Sequence, residues 1–396
     1  MMRVLLVANV PTPYNIPPLE RIKEDSGWLL TVCYISTSNQ DIGWAEELLD
    51  PQVAHETLVL DRQRPRLKWL LGSQTAATAS LLEKLRRERP DYLIIYGYTR
   101  MPQVAAMAWA AATGTPFAVL GDANLYADCA VGMRRMIKRF WLRQVTERAA
   151  ALITVGTTNR MFWESYGARP EKTFESHYAV DNDFFARGVA RRQSEATALR
   201  ERLGLAGKVV FLYVGRLVGR KGIDLLIHAV KSLAEENVAV AIAGGGPERA
   251  ALEALTGGDP RVVFVGRVAY AELPLYYALA DALVLPSRHE PWGLVINEAM
   301  ASGLAVIAHH HCGAAVDLVG PDNGVALESF SVAELAEAMR LIAADGERRR
   351  AMQARSVEKI QQWSIQAFAH GIIRAVQTSA RPRLAPPVIS ELGKLK

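Results

Sequence analysis

The chain has 396 residues, half of them hydrophobic and 22% charged, with 46 Lys and Arg against 41 Asp and Glu. That length suits two domains of ordinary size, and the composition excludes a disordered or collagen-like chain. Cys33, Cys129 and Cys312 are scattered without paired spacing, which points to a reducing compartment and away from a disulfide framework or a structural zinc site.

The N-terminal apolar run is short, is cut off by Asn9, Pro11 and Pro13, and has no small-residue cleavage site after it. It reads as a buried first strand, and no run approaches the ~20 apolar residues of a membrane helix. A cytoplasmic protein is expected. Apolar runs predict strands over Val4–Ala8, Leu29–Ile35, Tyr92–Tyr96, Phe117–Leu120 and Leu152–Val155, with helices near Tyr14–Glu24, Leu67–Arg89, Pro102–Ala112 and Arg134–Ala149. This alternation implies an α/β domain with a parallel sheet covered on both faces. Residues 178–192 are polar and irregular and read as a linker. Strands are then predicted at Val209–Val214, Val238–Ala243, Val262–Val265, Ala282–Leu285, Ala305–Ala308 and Gly324–Leu327, a second Rossmann-like domain. Residues 331–378 read as helical throughout, with Trp363, Phe368 and Ile372 as packing residues. The expected division is 1–180, 193–362, a helix over 363–380, and a Pro- and Lys-rich tail, Arg381–Lys396, expected to be poorly ordered.

The net charge of +5 and pI near 9.1 invite a nucleic-acid partner, but the positive residues are concentrated. Arg62, Arg64, Arg66 and Lys68 lead into Trp69-Leu70-Leu71, and Arg134, Arg135, Lys138, Arg139 and Arg143 interleave with Met136, Phe140, Trp141 and Leu142. Such stretches suit an anionic membrane surface. They equally suit a helix whose apolar face packs inward while its arginines stay solvated. No nucleic-acid partner is expected.

The most informative stretch is 287–303, where Glu290 follows the Ala282–Leu285 strand and Glu298 lies about a turn into the next helix. Strand, loop, helix and strand make a βαβ unit, and open α/β sheets bind ligands at the carboxyl ends of their strands. Carboxylates there accept hydrogen bonds from sugar hydroxyls, while amides at a helix start suit a phosphate. The bland alternative is one solvated glutamate and one first-turn glutamate favoured by the helix dipole. Gly215, Arg216, Lys221 and Gly222 follow the Val209–Val214 strand, and two cations beside helix-start amides make an anion site. Gly244-Gly245-Gly246-Pro247 alone signals only a tight turn.

The 287–303 string resembles the Glu-x7-Glu signature of glycosyltransferase family 4, retaining enzymes of GT-B architecture. Segments 178–185, 213–222, 243–248 and 264–268 agree with that family in order and spacing. The resemblance implies two Rossmann-like domains facing a central cleft, with the last helix crossing back to the first domain. It implies transfer of a hexosyl unit, with retention, from a nucleotide-sugar to an acceptor hydroxyl. Arg216 and Lys221 would contact the diphosphate, Glu290 the sugar and Glu298 the ribose. Gly215, Gly245, Arg267, Val268, Gly293, Leu294 and Val295 would border the donor. A UDP-sugar is expected in preference to a GDP-sugar, and no metal cofactor. The acceptor is expected to be a glycan, a lipid-linked glycan at the inner membrane face, or a small molecule. Alternatives are a nucleotide-sugar 2-epimerase or hydrolase of the same architecture, and a catalytically silent membrane-surface protein.

The first half departs from the family. Val10–Asn15 replaces a Gly-Gly pair, and Asp122 stands roughly where many members carry a His. Asp122, Tyr14 and Asn15 are therefore candidate sugar or acceptor contacts, although Asp122 would also suit a turn cap. Asp181-Asn182-Asp183 has the form of a metal site but falls in the family's interdomain segment, so no metal is expected there. His309-His310-His311-Cys312 looks like a metal tract. Three consecutive residues at a strand end are not expected to face one ion, so a loop closing over the donor is expected instead.

Overall fold

Runs of Val, Leu and Ile buried on both faces become the parallel strands of two sheets, as the near-continuous apolar character of each run requires. The computed structural model describes residues 1–36, 56–126 and 132–380; Cys129 and the Arg381–Lys396 tail lie outside them. The first sheet contains β1 (Arg3–Ala8), β2 (Leu29–Tyr34), β3 (Glu56–Val59), β4 (Tyr92–Tyr96), β5 (Phe117–Gly121), β6 (Ala151–Thr154) and β7 (Thr173–Glu175). Its order is β3-β2-β1-β4-β5-β6-β7, with every pairing parallel. The second contains β8 (Val209–Val214), β9 (Val238–Ala243), β10 (Val262–Gly266), β11 (Ala282–Leu285), β12 (Ala305–His309) and β13 (Gly324–Leu327). It runs β10-β9-β8-β11-β12-β13, again all parallel. Strand order reverses between β1 and β4 and between β8 and β11, so a crevice opens at the carboxyl end of each sheet at those points.

Helices cover both sheets. In the first half they are α1 (Ile16–Ser26), α2 (Pro65–Leu71), α3 (Ser73–Glu88), α4 (Met101–Thr113), α5 (Gly132–Arg148) and α6 (Thr157–Ser165). Then come α7 (Asn182–Arg191), α8 (Gln193–Arg202), α9 (Ile223–Ser232), α10 (Arg249–Thr256) and α11 (Leu273–Ala278). The last are α12 (Leu294–Ala301), α13 (Gly313–Leu318), α14 (Val332–Ala344), α15 (Gly346–Ile360) and α16 (Ile365–Ser379).

Three sequence expectations are corrected. The single helix over Leu67–Arg89 is two, because Gly72 takes φ +84°, ψ 165° between α2 and α3. The irregular linker over 178–192 is largely α7: Asp181 caps it by accepting the Phe184 amide at 2.9 Å, and Phe185 beneath is fully buried. Its polar residues are simply the solvent side of a short helix. The edge strands β3 and β7 went unpredicted because each is short and only partly buried.

The chain ends on the first sheet. On α16, the Phe368 carbonyl accepts the Ser176 hydroxyl at 2.7 Å, and His370 lies 3.1 Å from Asp25 on α1. At its end, Ser379 shares a hydrogen bond of 2.5 Å with Tyr92 on β4. Close approach at the middle of α16 depends on Gly371, where a Cβ would lie 2.6 Å from the Glu175 carbonyl oxygen and the Ser176 Cα. Gly371→Val is therefore expected to destabilise the chain by about 1–3 kcal/mol through overpacking. The check is a lowered thermal unfolding midpoint; an unchanged midpoint would show that α16 is not seated on β7.

Candidate active site at the carboxyl edge of the second sheet

The loops after β8, β9, β10 and β11 converge. A cavity of about 630 Å³ is lined by Tyr14, Gly215, Arg216, Gly244–Pro247, Arg267, Val268, Tyr270, Leu273, Val295 and Glu298, among others. Gly244 lets two of these loops touch, since it has φ +153° and a Cβ there would lie 1.8 Å from the Gly215 carbonyl oxygen. Gly215, Gly245, Arg216, Arg267, Val268, Val295 and Glu298 thus share one chamber.

Glu298 stands in α12 with no exposed surface. Its Oε2 accepts the Tyr277 hydroxyl at 2.5 Å and its Oε1 accepts the Tyr14 hydroxyl at 2.7 Å, the latter from the first domain. Burial pushes the Glu298 carboxyl up to about 7, and the two tyrosine hydrogen bonds oppose that rise only in part. Burial and the Glu298 charge together raise both tyrosines well above their ordinary range. Tyr14 meets Tyr270 edge-on at 5.5 Å, so one chamber wall is built from both domains.

Glu290 lies beyond the chamber, in the loop between β11 and α12, and its carboxylate forms an ion pair with the Lys221 ammonium. Both side chains are largely buried, at 12% exposure each. The loop is fixed from both sides: Asn124 donates to the Glu290 and Pro291 carbonyls at 2.9 and 3.0 Å, and Gly313 donates to the Glu290 carbonyl at 3.2 Å. Gly293 caps α12 at φ +100°, where a Cβ would crowd the Glu290 Cγ at 3.2 Å, and Leu294 opens the helix. Asp122 is close enough for Glu290 to add to the rise that burial imposes on its carboxyl.

Asn15 does not join this group. Its side chain accepts the Thr12 amide and donates to the Val10 carbonyl, both at 2.9 Å, so it shapes its own loop. Asp183 faces solvent and pairs with Arg187, while Asp181 caps α7, so the Asp-Asn-Asp segment forms no common site. Tyr277, Tyr270 and Asn124 were missed as functional residues. Tyr277 sits in a six-residue apolar helix and carries no local signal of its role.

Of the two readings of the basic stretches, inward packing of their apolar residues is largely not what the structure has. α2 buries none of its residues, and Trp69 is 85% exposed. On α5, Met133, Met136, Ile137 and Phe140 are all exposed beside Arg134, Arg135 and Arg139, because only Leu142, Val145 and Thr146 reach the core. Among the described residues, no helix is long and apolar enough to cross a membrane.

Residues 195–359 match the family described as Glycosyl transferases group 1. The chain is 30% identical over 216 residues to alpha-D-kanosaminyltransferase of Streptomyces kanamyceticus, covering 53% of this chain and 55% of that protein. It is 34% identical over 197 residues to a GDP-mannose-dependent alpha-(1-6)-phosphatidylinositol monomannoside mannosyltransferase of Mycobacterium tuberculosis, covering 46% and 50%. The chain thus spans about half the length of the curated relatives it matches. HepE of Anabaena, solved with UDP and glucose, superposes with a TM-score of 0.72 at 19% identity over 96% of this chain and 100% of that one. Sucrose-phosphate synthase of Thermosynechococcus elongatus gives 0.74 at 18% identity over 95% and 98%.

Glu298 generates a pH dependence. Between its ordinary 4.5 and about 7, the folded chain keeps a proton that the unfolded chain has released. Stability is therefore greatest below that window and falls as pH rises through it. Glu298→Gln removes this loss, so the variant's unfolding midpoint should gain on the wild type between pH 5 and about 7.5. A constant difference across that range would contradict a buried carboxyl whose hydrogen-bond donors are the two tyrosine hydroxyls. These observations together show a GT-B fold, within which residues 195–359 match the Glycosyl transferases group 1 family.

Proposed function

We propose that this chain is a retaining glycosyltransferase that moves a hexosyl unit from a nucleotide-sugar to an acceptor hydroxyl. The observation that carries the reading is the gathering of Arg216, Lys221, Glu290 and Glu298 at one sheet edge, inside the group 1 domain. The cavity of about 630 Å³ is within the range of sites for molecules of nucleotide-sugar size. In this reading the ribose hydroxyls donate to Glu298, and the diphosphate lies against Arg216, the Gly215 loop and the amides that open α12. Arg267, Val268, Tyr270 and Leu273 border the base, which is uracil in preference to guanine, so that the donor is a UDP-sugar.

Glu290 accepts from the sugar hydroxyls. The bond from the anomeric carbon to the diphosphate oxygen breaks as the acceptor oxygen bonds to that carbon on the same face. The acceptor proton passes to the departing phosphate oxygen, so no separate side-chain base is required. Arg216, Lys221 and the helix amides meet the leaving group's charge with fixed donors, which is where most of the acceleration arises. No metal is needed. Lys221 pairs with Glu290, so an incoming diphosphate competes for its ammonium and leaves Glu290 free to turn to the sugar.

Glu298→Ala and Arg216→Ala should each weaken nucleotide-sugar binding by about 1.5–3 kcal/mol, the usual worth of a hydrogen bond to a charged group. Titration calorimetry with UDP- and GDP-sugars measures this, and unchanged affinity in both variants would remove the site assignment. Product NMR from a reaction run in excess EDTA should show the donor's anomeric configuration retained. Inversion, or a requirement for added manganese, would overturn the mechanism.

The acceptor side is read from the first domain. The exposed apolar residues of α2 and α5, set among arginines, favour a peripheral contact with an anionic membrane at the inner face, and hence a lipid-linked glycan acceptor. Each basic residue near such a surface adds about 1 kcal/mol, a reversible attraction. Co-sedimentation with vesicles should rise with anionic lipid and fall with salt. Charge reversal at Arg135 and Arg139 should lower it while leaving donor binding intact. Absence of co-sedimentation at low salt would favour a small soluble acceptor.

A further inference from the structure

At the end of β12 the chain turns through His309, His310 and His311, and each offers one ring nitrogen such that all three lie within 4.8 Å of one another. Three consecutive histidines are not expected to face one ion, yet the turn brings their ring nitrogens this close. The turn achieves it because Cys312 leaves the group, burying its thiol 3.8 Å from the Leu285 carbonyl, while the three rings fan out on one side. Among the described residues no other group of three or more His, Cys, Asp or Glu side chains has metal-holding geometry.

The tautomers are set by the backbone. His310 Nδ1 lies 3.0 Å from the Leu327 carbonyl and His311 Nδ1 lies 3.1 Å from the Arg288 carbonyl. A carbonyl only accepts, so both Nδ1 atoms carry the hydrogen and both Nε2 atoms keep a lone pair. That is how metal-binding histidines are commonly oriented from behind. His309 is 1% exposed, and its Nε2 has no hydrogen-bond partner among the described residues, an orphaned buried polar atom beside the other two rings. Phe330 stacks on His309 at 3.7 Å and Tyr126 stacks on His311 at 4.5 Å, which restrains both rings. The Glu328 carboxylate, 3.7 Å from His310 Nδ1, adds negative charge to the rim.

We propose that the His309–His311 turn is a binding site for a divalent transition-metal ion of the zinc, nickel or cobalt kind, separate from the donor cavity. Imidazole ligands select these ions over magnesium or calcium, which take oxygen. A tetrahedral ion with bonds of about 2.0–2.1 Å holds its nitrogens about 3.3 Å apart, so binding draws the three nitrogens closer together, with water in the fourth position. His310 and His311 are the primary ligands. His309 Nδ1 accepts the His311 amide at 3.1 Å, so its Nε2 bears the proton in the metal-free chain. Coordination through that atom moves the proton to Nδ1 and breaks the amide contact, which makes His309 the weakest of the three. Because His310 and His311 are tied to β13 and to the Arg288 carbonyl, an ion here fastens β12, β13 and the loop leading to Glu290 together.

The test uses the full chain without a histidine tag. Equilibrium dialysis against zinc chloride should give one ion per chain, cobalt should give the absorption bands of a nitrogen-coordinated ion, and the unfolding midpoint should rise with zinc. His310→Ala and His311→Ala should each weaken zinc binding roughly tenfold or more. His370→Ala, on α16, should leave it unchanged. Circular dichroism establishes that each variant folds, and His310→Gln, at a half-exposed ring, serves if an alanine variant does not. No retained ion at high micromolar zinc, or equal binding in the His310 and His311 variants, would overturn the assignment.

Discussion

Glu298 is a carboxylate without water, held by one tyrosine from each half of the molecule. Burying an ionised carboxylate costs several kcal/mol unless a cation or enough hydrogen-bond donors replace its solvent. Here two hydroxyls do part of that work and protonation does the rest. Tyr277 is buried beneath α12 and cannot leave, whereas Tyr14 lines the cavity and comes from the other domain. Any ligand that brings its own hydroxyl donors to Glu298 must therefore displace Tyr14. The chamber and the relation of the two domains are coupled through that single hydroxyl, because occupancy of one bears on the other.

The Lys221–Glu290 pair repeats this logic at the other end of the site. Both charges are mostly shielded, so each satisfies the other. An anion reaching Lys221 weakens its hold on Glu290, and a cation or hydroxyl reaching Glu290 weakens its hold on Lys221. Asn124 fixes the backbone of this loop from the first domain, so the carboxylate can change partners without moving its main chain. The position of the loop is thus decided by groups other than the ones that would do chemistry.

Much of the second domain was legible in the sequence because its signals are local. A run such as Val209–Val214 is apolar on both faces, and Glu290 and Glu298 are placed by the strand and helix that flank them. The sequence could not show what Glu298 touches, since Tyr14 lies 284 positions away and Tyr277 sits in an unremarkable apolar turn. The polar run at 178–192 misled because helix α7 shows its charged side to solvent and rests on Phe185 alone among fully buried residues. The histidine tract misled for a related reason. Counting residues along a strand end takes no account of a turn that buries Cys312 apart from the three rings while gathering those rings together.

The two domains also differ in how they use apolar surface. In α9, six of ten residues are buried against the second sheet, as an amphipathic covering helix requires. In α5, the core is reached only near the C-terminal end, and its first two turns carry methionine, isoleucine and phenylalanine outward among arginines. A covering helix that served only its own sheet would place those side chains inward and would lose nothing by carrying polar residues there. Single exposed apolar residues are ordinary, whereas neighbouring ones on one helix are less so. The surrounding arginines lie on the domain opposite the one that holds Arg216, Lys221, Glu290 and Glu298.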